Sequence, residues 1–253
     1  RALDIDDYPE GYYFTDDLTD RALDMVRQLR DGHPSRPWFL YFSHGAVHAP
    51  LQARADDIEK YRGRYEAGWD EVRRRRFERQ KELGIMADDV CLPPRNTEEN
   101  YAVKAWDVLS EMEGELFARY QEVFAGMVDN VDQNLGRLRE GLEEMGEWEN
   151  TIVVFTSDHG YSMGHNGIWH KGNGHWVLKP PPPVTNKNIP RGQRPNMYDN
   201  SIFVPTAVRW PGHIAPSTQL DLPVANLDWY PTLLALTGIA PPKGETIRGR
   251  NIS

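Results

Sequence analysis

Asp158 and His159 stand side by side where an apolar run ends. Residues 151–155, Thr-Ile-Val-Val-Phe, are β-branched or aromatic, which reads as a short strand buried on both faces. An Asp–His pair at the carboxyl end of such a strand occupies the usual ligand position of an open α/β sheet. The carboxylate is a hard oxygen ligand and the imidazole a nitrogen ligand of intermediate softness, so together they suit a divalent cation. Gly160 lets the chain turn away, and Gly164 and Gly167 keep the next loop close to whatever is bound. That loop carries His165, His170 and Lys171, side chains that can answer an anion. A capped strand end with a polar surface loop explains Asp-His-Gly alone. It leaves the buried run before the pair and the His and Lys after it without a reason.

Stepping out from the pair, the chain alternates helical and extended patterns. Leu18, Ala22, Met25, Val26 and Leu29 recur at helical spacing, with Thr15-Asp16-Asp17 as cap and first-turn acids. That helix should stop near Gly32, before Pro34. Residues 38–43, Trp-Phe-Leu-Tyr-Phe-Ser, read as a strand that runs into His44, His48 and Pro50. Residues 61–84 are helical and very basic at Arg73 to Arg76, a run that reads as a solvated face. Residues 109–145 hold the longest amphipathic pattern, with Met112, Leu116, Tyr120, Val123, Met127, Val131, Leu135, Leu138, Leu142 and Met145 on one stripe. Asp129, Asn130 and Asp132 within it read as solvated. Pro180 to Pro183 suggest a rim loop, and residues 206–210 a further strand. Asp228 reads as a first-turn residue of a helix. Helix, loop and buried strand in alternation is the α/β rhythm.

At 253 residues the chain can bury a substantial core. A net charge of -9 argues against nucleic acid as a partner. No apolar run approaches membrane-spanning length, and a single Cys excludes an internal disulfide. The start at Arg1, without Met or leader, suggests a piece of something longer.

Phe155-Thr-Ser-Asp158-His159-Gly160 resembles a metal-binding motif of the type I sulfatases, members of the alkaline-phosphatase-like superfamily. The likeness runs from residue 13 to residue 251, through Tyr61-Arg-Gly-Arg-Tyr65 and Met197-Tyr-Asp-Asn-Ser-Ile-Phe-Val-Pro205. It implies a three-layer α/β/α core with a mostly parallel sheet, in which residues 38–43, 151–156 and 204–210 are neighbours. It also implies that residues 1–253 are a catalytic domain truncated at both ends, lacking the segment that bears the nucleophile and the first two Asp ligands. Asp158 and His159 would be metal ligands. The metal implied is Ca²⁺, with Mn²⁺ or Zn²⁺ compatible with a His ligand. His48, and not His44, matches the His that protonates the leaving oxygen. Lys171, in Gly-Ile-Trp-His-Lys-Gly, matches the sulfate-binding Lys. His170 and Arg194 are further substrate-binding candidates, Arg194 by an ungapped count back from Val204-Pro205.

The family's nucleophile is a formylglycine made from Cys or Ser in Cys-x-Pro-Ser/Ala-Arg. Cys91-Leu-Pro-Pro-Arg95 satisfies a shorter form but lies after the His48 motif, where the family has an ordinary loop. The nucleophile is therefore expected outside this chain, and residues 1–253 alone are expected to be inert. The activity implied is hydrolysis of a sulfate ester, on a sulfated small molecule or carbohydrate, by an exported enzyme. Two rivals stand beside it: a phosphonate monoester or phosphodiester hydrolase of the same superfamily, and a binding protein that kept the sheet and lost the chemistry.

Overall fold

The computed structural model describes residues 8–95, 103–165 and 199–253. The chain divides into two units, one within Arg1–Thr151 and His159–Phe203, the other within Ile152–Asp158 and Val204–Ser253.

The described part of the first unit is helical. Helix α1, Phe14–Gly32, buries Ala22, Leu23 and Val26. Its N-cap is Tyr13, and no side chain caps it. Thr15 lies inside the helix and is buried, so the expected cap is absent. Asp16 instead accepts from Asn134 at 2.8 Å, Asn130 at 3.2 Å and Arg54 at 2.7 Å. A carboxylate read as a dipole partner thus ties α1 to a distant helix. Short helix α2, Ala55–Glu59, adds Asp57, which accepts from Gln133 at 2.7 Å and Lys60 at 2.9 Å.

Those amides belong to α4, Glu111–Glu144, which opens on a capping box between Ser110 and Glu113. Its inward face carries Ala118, Glu122, Ala125, Gly126, Met127, Asn130, Asn134, Gly141 and Leu142, of which Met127 and Leu142 belong to the expected apolar stripe. These are mostly small or polar residues. The apolar stripe expected to pack is exposed along the first turns, with Met112 at 79% exposure. Asn130, expected on a solvated face, is buried, because the neighbouring helices present carboxylates and a close backbone rather than apolar side chains. A Cβ on Gly126 would lie 3.1 Å from the Ile58 nitrogen, and one on Gly141 2.5 Å from a Leu23 methyl. Close approach is what selects the small residues.

Helix α3, Gly68–Glu82, lies within the expected basic region. Trp69 is buried, with Trp106 edge-on at 5.0 Å and Phe117 at 5.1 Å. The basic run is only half solvated. Arg74 and Arg75 pair with Glu71, while Arg73 is buried and donates to Pro93 O at 2.8 Å.

Residues 38–43 form no strand. Half-buried and exposed residues alternate along them, and Tyr41 is 82% exposed. The side chain of Trp38 donates to Glu147 at 3.1 Å, and Glu147 is gripped by Arg30 at 2.5 and 2.8 Å. An ionic clamp thus holds the start of the segment, and no ladder follows.

In the second unit β1, Val153–Phe155, pairs with β2, Ala207–Arg209. The two share a sheet as expected, but the pairing is antiparallel, with Val154 opposite Val208. A mostly parallel sheet is therefore not what the described residues form. The strands are half-buried or exposed rather than covered on both faces, the setting in which antiparallel pairs occur. Thr156 and Thr206 join hydroxyls at 2.9 Å just beyond the last pair, where β1 leaves and β2 enters. Helix α5, Asp199–Ile202, belongs to the first unit, and α6 of the second unit, Trp229–Thr237, ends at Gly238 in the left-handed conformation.

Candidate functional site

Asp158 and His159 follow β1 by three and four residues, and the division between units falls at the bond joining them. Within the second unit the side-chain amide of Asn226 donates to Asp158 O at 3.2 Å and Ser157 O at 3.5 Å. The backbone that presents the Asp158 carboxylate is therefore held from residue 226. Asn226 was not singled out by the sequence, since an amide in Val-Ala-Asn-Leu-Asp carries no motif. Asp228 is no ligand. Buried, it accepts from the Ala225 N–H at 3.0 Å and the Arg250 N–H at 2.7 Å, and those bonds lower its pKa. It stands at the N-terminus of α6, as expected of a first-turn acid.

His159 Nδ1 lies 2.8 Å from Gly160 O. A carbonyl can only accept, so in the neutral ring Nδ1 carries the proton and Nε2 the lone pair. A metal-binding imidazole is usually held in this way, its second nitrogen donating to a carbonyl. Asp158 is a carboxylate and His159 an imidazole with Nδ1 on a backbone carbonyl, and each is by its chemistry able to ligate a divalent cation. Among the described residues no three His, Cys, Asp or Glu side chains cluster as a metal site.

The loop after His159 is anchored within the first unit. The Gly160 N–H donates to Ser201 O at 2.9 Å, and Tyr161 stacks on Phe124 of α4 at 5.4 Å. Ser162, Met163 and His165 are buried. Gly164 has φ +84°, and a Cβ there would sit 2.7 Å from the Trp69 ring. Only glycine allows that turn and that approach. His165 joins α3 through Arg76, Nη1 to Nδ1 at 2.7 Å.

His48 is exposed in the loop before α2. Its N–H donates to Gly45 O at 2.9 Å, and its Nδ1 lies 2.6 Å from Ala49 O. By the same argument Nδ1 carries a proton, and Nε2 is the nitrogen that can move one. His44 is set apart from it. Both its ring nitrogens are buried without a hydrogen bond, it packs on Phe42 at 4.3 Å, and burial lowers its pKa. Cys91 is exposed, with its Sγ 3.9 Å from Asp89 O. Arg95, four residues on, binds Asp70 at 2.7 Å and the carbonyls of Val103 and Lys104, so it clamps a loop. His170, Lys171 and Arg194 lie outside the described residues.

The sulfatase family model matches residues 3–239, and the chain belongs to that family. An uncharacterised sulfatase of Schizosaccharomyces pombe is 31% identical over 90% of this chain and 44% of its own length. An arylsulfatase of Klebsiella aerogenes is 28% identical over 93% of this chain and 53% of its own length. The chain thus spans about half the length of these curated relatives. Among solved structures, a phosphonate monoester hydrolase from Silicibacter pomeroyi aligns with a TM-score of 0.60 at 22% identity, over 95% of this chain and 40% of that one. A structure of BT4656 in complex with its substrate D-glucosamine-2-N,6-O-disulfate aligns at 0.58 and 18% identity, over 95% and 51%. These likenesses give the α/β fold of the sulfatase neighbours.

Proposed function

We propose that the whole protein hydrolyses a sulfate ester. The family match over residues 3–239, with Asp158 and His159 in the metal-binding motif, carries this reading. Asp158 and His159 would hold a divalent metal, Ca²⁺ by resemblance with Mn²⁺ or Zn²⁺ compatible, and the bound metal would polarise sulfate oxygens beside an upstream formylglycine. His48 delivers the proton. With Nδ1 held by Ala49 O, Nε2 is the nitrogen that would protonate the departing oxygen, so that no free alkoxide leaves. Lys171 steadies the charge on the sulfate, and His170 and Arg194 bind substrate around it. The sheet around β1 is proposed to complete a three-layer α/β/α core with mostly parallel strands, β1 and β2 being its antiparallel pair.

The substrate proposed is a sulfated carbohydrate or small aryl ester. The disulfated glucosamine named for BT4656 supports the first. Among the described residues no helix is long and apolar enough to cross a membrane. An exported protein, periplasmic or extracellular, is proposed from the family. Phosphonate monoester hydrolysis is the second reading, favoured by the fold shared with the Silicibacter enzyme.

The test is turnover of the whole protein on 4-nitrophenyl sulfate and on a 4-nitrophenyl phosphonate monoester. Sulfate is expected to be the faster substrate, and His48→Ala to lower its kcat by about 10²–10⁴-fold. Faster phosphonate turnover would overturn the first reading. An unchanged kcat in His48→Ala would remove His48 from the mechanism.

A further inference from the structure

The basic run of α3 splits into two pairs. Arg74 and Arg75 are neutralised at the surface by Glu71 and Glu78. Arg73 and Arg76 have no carboxylate within ion-pair distance among the described residues. Arg73 is buried. Arg76 is exposed as a residue, yet its guanidinium lies among enough protein that desolvation lowers its pKa. Asp70, the acid that acts on Arg73, is bound by Arg95 at 2.7 Å and by the Trp106 N–H at 2.8 Å. Three guanidinium groups therefore face one carboxylate around His165.

His165 shows what is wanting. Guanidinium only donates, so the 2.7 Å contact from Arg76 makes Nδ1 the acceptor. The proton of the neutral ring then sits on Nε2. That nitrogen is shut off from solvent and makes no hydrogen bond, in a residue only 4% exposed. Burial and the three arginines hold the ring neutral, with a pKa pushed down to about 3. A buried N–H without an acceptor, beside cations without an anion, is unfavourable on both counts. An anionic oxygen at Nε2 would satisfy the N–H, and the charge of the ion that carries it would offset the guanidinium groups. The imidazole is also firmly presented, since Gly164 packs on Trp69 and Tyr161 on Phe124.

We propose that His165 Nε2, Arg73 and Arg76 form a binding site for a small tetrahedral oxyanion, sulfate or phosphate. Guanidinium forks match such an ion bidentately, and the neutral imidazole adds one directed donor. An anion arriving from solvent meets Arg76 first, the exposed member of the three. The inference does not rest on the hydrolase reading, because Arg73, Arg76 and His165 have no role in the proposed hydrolysis.

The experiment follows thermal unfolding of the chain in a Lys171→Ala background, which removes a proposed sulfate contact elsewhere. Sodium sulfate and sodium phosphate are each compared with sodium chloride at equal ionic strength. For a millimolar Kd, about 20 mM of either oxyanion should raise Tm by roughly 4 °C over chloride. Arg73→Gln with Arg76→Gln should abolish the difference, and His165→Phe should weaken binding about tenfold. Equal melting in sulfate and chloride, or a full response in the double variant, would overturn the proposal. Should the double variant fail to fold, the ¹⁵N–¹H signal of His165 Nε2 in the chain with native arginines decides. Sulfate must move it and chloride must not. A signal unmoved by sulfate means the arginines are neutralised within the chain.

Discussion

At the scale of single residues, the candidate chemistry depends on which nitrogen of each imidazole is engaged. His48 and His159 both give Nδ1 to a backbone carbonyl, which sets the proton of each neutral ring on that nitrogen. The backbone of Asp158 is held by Asn226. Asn226→Ala should therefore weaken divalent-metal binding by the whole protein about tenfold, as loss of a support behind a ligand does. A metal titration with unchanged affinity would show that residue 226 only shapes its own turn. Cys91→Ala should leave sulfate turnover as it was, because the thiol lies exposed in a loop whose nearby Arg95 is committed to Asp70. Loss of turnover would make Cys91 the nucleophile.

At the scale of elements, α4 is joined to its neighbours by close backbones and amide–carboxylate bonds. Gly126→Ala would set a methyl 3.1–3.2 Å from the Ile58 nitrogen, the Asp57 carbonyl carbon and the Ala53 Cβ. The expected loss is about 1–3 kcal/mol, read from urea unfolding at constant m value. Unchanged stability would mean α2 moves away freely. The same contact explains what the sequence disclosed and what it hid. Periodicity revealed where α1, α3 and α4 run, since 3.6-residue spacing survives whichever face is buried. It placed Met127 and Leu142 correctly in the core but misassigned the first turns of α4 and missed the buried glycines, alanines and asparagines, which score as weak or polar while Met112 and Leu116 score as core. The β1 region was legible from its β-branched run. Its antiparallel partner was not, since strand direction depends on the intervening chain and leaves no local mark. Residues 38–43 have a strand's composition and alternation without a ladder, because pairing needs a neighbour that composition cannot supply. The Asp158–His159 pair was visible because chemistry restricts residue type. Asn226 and Arg76 were not, because side-chain support can come from any polar residue at any distance in sequence.

At the scale of the whole molecule, acid should destabilise in two stages. His165 is held near pKa 3 by burial and the surrounding arginines, and burial lowers His44 as well. Their unfolded values are near 6.5, so the unfolded chain binds more protons below that pH, and stability falls as pH drops through it. Each contributes a slope of at most about 1.4 kcal/mol per pH unit. The second stage belongs to carboxylates. The Arg30 hydrogen bond lowers Glu147, and at Asp16 burial is outweighed by bonds from Asn134, Asn130 and Arg54. Their stabilisation is complete above the ordinary carboxylate range and is lost as pH falls through their depressed values. Urea midpoints measured from pH 8 to 5 should begin to decline near pH 6.5. A flat profile over that interval would mean the two imidazoles titrate alike in folded and unfolded chains.

The carbonyls that fix His48 and His159 belong to the very next residues, Ala49 and Gly160. A backbone carbonyl is present whatever side chain follows. No partner elsewhere has to be conserved for either ring to keep its proton on Nδ1, so the surroundings of both are free to drift over evolutionary time. His165 is the opposite case, since its state depends on Arg76, 89 positions away. Substitution in α3 can silence it while leaving the other two ready. A lineage exploring new substrates could therefore rebuild the walls around His48 and His159 without first losing the orientation of either imidazole.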